Sequence, residues 1–426
     1  MHNIFTNKHH VGVLARHVDD GNAPLPRFTY DATVGTENIV ALNMPPAPSA
    51  DYVYRDPDGA RIHPVFAMSL PESTRLWQVL SKALPIGNDF SLLGAVGRSQ
   101  IGRLRAAPSA DPSGIDAVPE TSLYDLLKDR GAEDVLNEMF EIYARYSGIS
   151  GAQPKVLARD NGSLAALSSP QKLSANKLTP SGATHIVKFF EAEKHPALAV
   201  NEHLCLRAAK AACLPVPDTW LSDDFQRLII ARFDINDDGS YMAHEDCCAL
   251  GNFPPDWKYI GSYEQVAKCL RQVIAPAHAR EDMALFFRSF VLSVVVRNGD
   301  AHMKNFGVIY NTSADVRLTP AYDIISSTPY IPKDTLALTL GGTKRWPTAK
   351  RLTQFAVEFC SLTPAEAAET IDRVAEGVSE TRKELIARIA NAGSEEAEVV
   401  LKAMLQIWED GLAKTCAGVA PRLSSG

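Results

Sequence analysis

The stretch from Met283 to Tyr310 constrains the fold more than any other part of this sequence. Its first half repeats apolar residues at the spacing of one helix face, at Met283, Phe286, Phe287, Phe290, Val291 and Val294. That spacing predicts a helix with one buried side. Its second half, NFGVIY, is typical of a buried strand. Between them, Asn298 and Gly299 are expected to end the helix, so a polar turn lies between two core elements.

The polar turn (residues 298–305) carries side chains that suit phosphoryl transfer. That reaction needs a carboxylate to accept a hydroxyl proton, and an asparagine and an aspartate to hold Mg²⁺ against nucleotide phosphates. Asp300 and Asn305 lie in the turn, and Asp323 follows in PAYDII. We expect Asp300 to be the base and the other two to bind the metal. A metal hydrolase built on Asp300 and His302 is the alternative, but no second ligand cluster at metal-binding spacing supports it.

Three further kinase features precede the turn in chain order. Lys188 lies in the predicted strand HIVKFF, and Glu202 on the next predicted helix is expected to orient it. SGAQPK, from Ser150 to Lys155, is expected to bind phosphate through backbone N–H groups. Taken singly, these features fit a surface strand lysine, a solvated helix residue and an ordinary turn. Their order along the chain is what favours a kinase.

The chain divides into three predicted parts. Residues 1–105 contain strand-like pieces such as VGVLARH and RFTYD, which indicate a β-rich N-terminal module. The stretch RAAPSADPSGIDAVPE, residues 105–120, predicts a linker that buries little. Residues 106–233 mix helix and strand patterns, as in a kinase N-lobe with its phosphate loop, and residues 234–426 are mostly helical. We therefore predict an α+β, two-lobed protein-kinase-like fold with a β-rich N-terminal module and a mostly helical C-terminal lobe.

Charge and hydropathy limit the partners and the location. The net charge of -7 argues against binding nucleic acid by overall charge. The most apolar window, FFRSFVLSVVV, is interrupted by Arg288 and is too short to span a bilayer. The N-terminal MHNIFTNKHHVG lacks the apolar segment of a secretory signal, and the seven cysteines show no C-x-x-C spacing. We expect a protein of the reducing cytoplasm without membrane contact.

Several stretches of the chain together form a recognisable set of motifs. In the N-terminal region they are VGVLARH, RFTYD and SLLGAVGRSQIGRLR. In the later part they are GISGAQPK, THIVKFF, NEHLCLRAAKAACLPVP, RFD, NGDAHMKNFGV and LTPAYDI. These motifs resemble the HipA family of serine/threonine protein kinases, the toxin halves of bacterial toxin–antitoxin pairs. Two departures occur: SKALPIGNDFSLLGA replaces an LPEG-type stretch, and Ala231 replaces the glutamate common before R-F-D. Since adenine is usually bound there through backbone groups, the change at Ala231 is compatible with binding.

The resemblance implies ATP and Mg²⁺ as cofactors and a role for each matching residue. Asp300 is implied as the catalytic base, and Asn305 and Asp323 as the metal ligands. The implied ATP-binding residues are Ser150, Gly151, Ala152, Gln153, Pro154, Lys155, Lys188, Glu202, Ala231, Arg232, Phe233, Asp234, His302, Lys304 and Tyr322. Ser150 is also implied as an autophosphorylation site, with Ser147 as the nearest substitute.

The function implied by the resemblance is transfer of the ATP γ-phosphate to a serine or threonine of a protein, with a translation component as the expected target. A HipB-like antitoxin, a separate chain, is the expected inhibitor. DNA is expected to bind only through that antitoxin, since the sequence shows no helix-turn-helix pattern. Two alternatives stay open: a kinase of related fold that phosphorylates a small molecule, and a kinase-like binding subunit of an antitoxin–DNA complex.

Overall fold

The computed structural model describes residues 1–17, 25–47, 51–55, 61–128, 132–167, 181–331 and 333–416. It divides into two compact units. The first comprises residues 1–189, 222–257 and 309–316, and the second comprises residues 190–221, 258–308 and 317–426. Both units therefore contain segments that are distant from one another in the sequence.

Strands and helices are numbered in chain order. The strands are β1 His2–Thr6, β2 His9–His17, β3 Leu25–Tyr30, β4 Asp51–Val53, β5 Leu104–Ala107, β6 Glu120–Thr121, β7 Lys155–Asp160, β8 His185–Phe189, β9 Thr219–Leu221, β10 Arg227–Ala231, β11 Ala243–Asp246, β12 Gly307–Tyr310 and β13 Arg317–Leu318. The helices are α1 Pro64–Ala67, α2 Thr74–Ala83, α3 Asp89–Val96, α4 Leu123–Lys128, α5 Ala132–Tyr143, α6 Leu198–Ala211, α7 Cys247–Leu250, α8 Tyr263–Val273, α9 Ala279–Val295, α10 Ala349–Phe359, α11 Pro364–Ile389 and α12 Glu395–Thr415.

The first unit begins with a five-stranded antiparallel sheet in the order β4-β3-β2-β1-β5. Side chains alternate along β3, so Phe28 and Tyr30 are buried while Thr29 between them is exposed. Such alternation is typical of a strand with one face against the core. The ring of Phe28 lies 5.5 Å from that of Phe66 on α1. The β-rich character predicted for this region is confirmed.

A second sheet of the first unit positions the predicted phosphate-binding segment. Its strands include β6, β7, β8 and β10 in that order, with β6 parallel to β7 and the other pairs antiparallel. Val156, Val187 and Ile229 have no exposed surface, as expected for short, continuously apolar strands covered on both faces. The strand predicted from HIVKFF is confirmed as β8.

The stretch predicted as a linker that buries little is packed instead. Ile115 is 2% exposed and Val118 is 3% exposed. Asp116 pairs with Arg105, with 2.8 Å between the carboxylate and the guanidinium Nε. The expectation of low burial was wrong because it followed the Pro, Ser and Gly content and overlooked two apolar side chains. The predicted division at residues 1–105, 106–233 and 234–426 stays a prediction.

The second unit is built mainly from helices around α9. Phe286, Phe287 and Phe290 have no exposed surface, and α9 packs against α8, α11 and α12. Gly411 of α12 lies so close to the backbone of Val295 that a Cβ at this position would overlap the Val295 carbonyl. The absence of a side chain therefore lets α12 reach the end of α9. Among the described residues, no helix has the length and hydropathy needed to cross a bilayer.

Candidate active site

Helix α9 ends before the residues expected to stop it. Its last residue is Val295, and Arg297 adopts the left-handed conformation with φ 56°. The Asn298 N–H donates to the carbonyl of Ser293 over 2.8 Å, which closes the helix as in a Schellman motif. The Arg297 guanidinium folds back onto the Val294 carbonyl at 2.8 Å. The expectation that Asn298 and Gly299 end the helix was therefore wrong by two residues, because an arginine with a buried guanidinium takes the position usually held by glycine.

The backbone of the polar turn is held from several sides. The Gly299 N–H donates to Ser327 Oγ over 2.6 Å, and that hydroxyl donates to Asp334 Oδ2 over 2.5 Å. The Tyr263 hydroxyl of α8 donates to the Ala301 carbonyl over 3.0 Å. Asp300 N–H donates to the side chain of Asn298 over 3.1 Å. These bonds fix the backbone on which Asp300 stands, as a catalytic group requires.

The carboxylate of Asp300 lies in a partly buried, negatively charged environment. Burial raises its pKa above the ordinary value of an aspartate, and the charges of Asp323 and Asp334 add to that rise. The hydroxyl of Tyr259, which donates to Asp300 Oδ1 over 2.5 Å, and the charge of Lys258 act in the opposite direction. A raised pKa suits a general base, because it makes the carboxylate a stronger proton acceptor.

Asn305 and Asp323 lie next to each other, and the charge of Asp323 acts on Asp300. Asn305 Nδ2 donates to Asp323 Oδ2 over 3.1 Å, and Asn305 Oδ1 accepts from the His302 N–H over 2.9 Å. Asp323 has a left-handed backbone with φ 56°, a conformation that costs an L-residue energy and is found at functional sites. The fold therefore holds Asp323 in a strained conformation that points to a role beyond packing.

Two further predicted residues, His302 and Lys304, lie in the polar turn itself and are buried. His302 and Lys304 are each 7% exposed. The hydroxyl of Tyr322 donates to the Lys304 carbonyl over 2.7 Å. Tyr322 therefore joins the segment that carries Asp323 to the polar turn, while the nucleotide contacts implied for these three residues stay predictions.

Helix α6 supplies Glu202 and a neighbour that the sequence did not single out. Glu202 is 2% exposed, so the alternative of a solvated helix residue was wrong. Asn201, with no exposed surface, donates from Nδ2 to the Ser326 carbonyl and accepts from the Ser326 N–H, both over 2.8 Å. This amide binds both backbone groups of one residue, and so it fixes the segment just after Asp323.

The first unit holds the predicted phosphate loop and the two lysines predicted to bind phosphate, Lys155 and Lys188. Gly151 has φ 110°, and the Lys155 ammonium donates to the Ser150 carbonyl over 3.0 Å. Lys155 and Lys188 are direct partners across β7 and β8 and are 6% and 5% exposed. Lys188 is therefore not a surface lysine. Side chains directly opposite on antiparallel strands share one face, where like charges repel; a bound anion would offset that repulsion.

Ala231 is the last residue of β10, and Arg232, Phe233 and Asp234 follow it in the first unit. The Arg232 guanidinium donates to both carboxylate oxygens of Asp234, over 3.0 and 2.6 Å, and lies over the ring of Tyr241. Asp234 also accepts from the Gly102 N–H over 2.6 Å. These charged groups link segments within the unit, and the nucleotide contacts implied for Ala231, Arg232, Phe233 and Asp234 stay predictions.

The donor set at the polar turn fits magnesium better than zinc. No group of three or more His, Cys, Asp or Glu side chains able to hold a metal occurs among the described residues, so the metal-hydrolase alternative gains no ligands there. Mg²⁺ is typically held by one or two carboxylates with waters and substrate phosphates. The amide oxygen of Asn305 and the carboxylate of Asp323 are hard oxygen ligands of this kind.

Comparison with protein families identifies the chain. The family model described as HipA-like C-terminal domain matches residues 147–382, which contain β7, β8, α9 and the polar turn. The chain belongs to the HipA family. The model described as HipA N-terminal domain matches residues 2–107. HipA family membership, expected from the sequence motifs, is confirmed.

Similar sequences carry kinase names. Two proteins of Sinorhizobium fredii, named "Putative kinase Y4dM" and "Putative kinase Y4mE", are each 28% identical to this chain, over 328 and 335 residues. The first alignment covers 70% of this chain and 73% of that protein; the second covers 74% of each.

A solved HipA structure shares the fold. The chain in a complex of Shewanella oneidensis HipA, HipB and operator DNA has a TM-score of 0.67 and 20% identity over 97% of both chains. This similarity confirms the predicted α+β, two-lobed kinase-like fold.

Sequence reasoning missed the residues that hold and cover the predicted HipA-type base. Asn201 and Ser327 hold backbone segments through bonds between distant parts of the chain, and Asp334 accepts from the Ser327 hydroxyl. Their residue types are common, so no local pattern marks them. Tyr259 lies 41 positions before Asp300, and Gly261, two residues after it, is a sequence signal of a turn, with φ 125° in the structure.

Proposed function

We propose that this chain is a HipA-like toxin that transfers the γ-phosphate of ATP, with Mg²⁺, to a serine or threonine of a protein. The grouping of Asp300, Asn305 and Asp323 at the polar turn carries this proposal. A translation component is the proposed target. A HipB-like antitoxin is the proposed inhibitor, by analogy with the HipA and HipB of the similar Shewanella complex. The chain acts in the cytoplasm in this proposal.

In the proposed reaction, Asp300 accepts the proton of the acceptor hydroxyl. The hydroxyl oxygen forms a bond to the γ-phosphorus as the bond from that phosphorus to the β,γ-bridging oxygen breaks, and ADP leaves. Asn305 and Asp323 would hold Mg²⁺, which neutralises phosphate charge when bound. In the first unit, Lys155, Lys188 and the backbone N–H groups of Ser150–Lys155 are proposed to bind phosphate.

The proposal is tested by replacing the base and a metal ligand separately. Asp300→Asn keeps the side-chain size but cannot accept the proton, so the rate should fall by about 10²–10⁴ while ATP still binds. Asp323→Ala should weaken ATP binding only when Mg²⁺ is present, as titrations with Mg²⁺ and with chelator would show. The exposed Asp315→Asn is a matched control. Wild-type turnover in Asp300→Asn, or equal ATP affinity in both Asp323 titrations, would contradict these assignments.

The acceptor class is tested by incubating a cell lysate with labelled ATP and the purified chain. A protein kinase should add label to an intact protein band, and Asp300→Asn should not. Label confined to small molecules would favour the related-fold alternative. An active wild type also excludes a subunit that only binds its antitoxin.

A further inference from the structure

The strap Lys258–Gly261 covers the predicted base. Tyr259 donates its hydroxyl to Asp300 Oδ1 over 2.5 Å, and its ring meets that of His302 edge to face, with 5.0 Å between centroids. A Cβ on Gly261 would lie 2.5 Å from the side chain of Met303. Three residues of the polar turn therefore touch the strap.

The contact between Tyr259 and Asp300 has the geometry expected of an acceptor. A general base must lie within hydrogen-bond reach of the hydroxyl proton that it removes, about 2.6–3.2 Å between heavy atoms or slightly less in a short bond. In this structure the Tyr259 hydroxyl occupies that position at Asp300 Oδ1. An acceptor hydroxyl or a water molecule cannot take the same place at Oδ1 until the tyrosine leaves.

The strap is held by hydrogen bonds at Gly261, and its two middle residues are exposed. The Gly261 carbonyl accepts from both the N–H and the hydroxyl of Thr339, each over 3.1 Å. Gly261 has φ 125°, a conformation that residues with side chains rarely adopt. By contrast, Tyr259 is 44% exposed and Ile260 is 59% exposed. Rotation about Gly261 would therefore lift the exposed Tyr259 side chain from Asp300.

We propose that Tyr259 is a positioning residue that occupies the acceptor place at Asp300 in the free protein and must be displaced by the acceptor. This inference rests on the proposed kinase function. It assigns Tyr259 the role of excluding water from the base, so that ATP is not hydrolysed before a polypeptide binds. A polypeptide can displace the strap because it contacts more than the single oxygen that water offers.

The test measures inorganic phosphate released from ATP and Mg²⁺ by the full chain without any protein acceptor. Tyr259→Phe keeps the ring but removes the hydroxyl, so water gains access to the base. Phosphate release should rise by about tenfold, the scale of one hydrogen bond to a charged group. Tyr124→Phe is the matched control, since Tyr124 is 37% exposed and has a lysine over its ring at 5.7 Å, as Tyr259 does at 5.5 Å.

The pH profile separates a positioning role from a merely structural one. The Tyr259 hydrogen bond lowers the pKa of Asp300, so its loss raises that pKa further. The acidic limb of phosphate release should therefore move to higher pH in Tyr259→Phe and stay in place in Tyr124→Phe. Release equal to or below the wild-type rate, or an unmoved acidic limb, would overturn the proposal.

A failure of the kinase proposal itself is recognised separately. If the wild-type chain neither binds ATP nor releases phosphate, the proposed function fails. The contact between the strap and Asp300 is then tested by the rate of amide hydrogen exchange of residues 258–261. Asp300→Ala removes the carboxylate that holds Tyr259, so exchange should be faster than in wild type by several-fold. Equal exchange in the two proteins would overturn the strap proposal without reference to activity.

Discussion

Ser150 is placed where a phosphate would change the predicted nucleotide site. It is half-buried in the loop before β7, and its carbonyl accepts from the Lys155 ammonium over 3.0 Å. Ser147, the substitute considered from the sequence, has no exposed surface, and its hydroxyl donates to the Tyr143 carbonyl and accepts from the Leu157 N–H. Of these two serines, only Ser150 is accessible to a kinase without local unfolding.

We predict that Ser150→Asp binds ATP poorly and that Ser150→Ala stays active. A phosphate adds roughly two negative charges, which would pair with Lys155 and repel the phosphates of ATP. Nucleotide titration of both variants checks the first effect, with the exposed Ser81→Asp as the control for added charge. Mass spectrometry of the active protein after incubation with ATP checks whether Ser150 is modified. ATP affinity unchanged in Ser150→Asp would remove this switch.

At the scale of elements, the predicted base depends on how α6 and α9 fix two loops. Helix α9 delivers the polar turn through the left-handed Arg297, whose guanidinium also lies over the ring of Trp346 at 5.0 Å. Helix α6 fixes the segment after Asp323 through Asn201. The two loops also join directly, since Ser326 Oγ donates to the Val296 carbonyl over 2.6 Å. Movement of either helix would therefore displace both loops.

We predict that Asn201→Ala destabilises the second unit by ~2 kcal/mol or more and lowers the transfer rate. The change removes two hydrogen bonds and leaves the buried N–H and carbonyl of Ser326 without that partner, at ~1–3 kcal/mol for each buried group left unsatisfied. Thermal unfolding and kcat would be compared with Asn391→Ala, in which an exposed asparagine is removed near the end of α11. A loss of stability with an unchanged kcat would show that Asn201 supports folding alone.

At the scale of the whole molecule, net charge bears on the DNA question. The chain carries 43 Lys and Arg against 50 Asp and Glu residues, a net charge of -7. Binding to DNA without sequence preference depends on releasing counterions from phosphates through Lys and Arg contacts. A chain of this charge lacks the overall excess of cations that would drive such binding.

We therefore predict that the chain alone has negligible affinity for duplex DNA and joins it only with a HipB-like antitoxin. Fluorescence anisotropy of a labelled duplex, measured at several salt concentrations with and without the antitoxin, checks this expectation. Affinity of the chain alone that falls steeply as salt rises would reveal a basic patch and contradict the prediction.

The sequence by itself determined the elements with strong local signals. Apolar spacing predicted α9, and short strand patterns predicted β8 and β12, because a buried helix face or a buried strand leaves its own pattern of apolar residues in the local sequence. The order of the motifs pointed to the HipA family and selected Asp300, Asn305 and Asp323. Composition was a poorer guide between residues 105 and 120, where Ile115 is buried.

The tertiary structure alone decided what surrounds those residues. Contacts between Tyr259 and Asp300, Asn201 and Ser326, and Gly299 and Ser327 join positions 41, 125 and 28 residues apart. Such pairs leave no periodic pattern in the sequence. Chain segments of very different length can bring two polar residues together, because the cost of closing a loop rises only slowly with its length. Burial of Lys188, the raised pKa of Asp300 and the strap over it exist only in the folded chain, because each depends on the exclusion of water by distant segments.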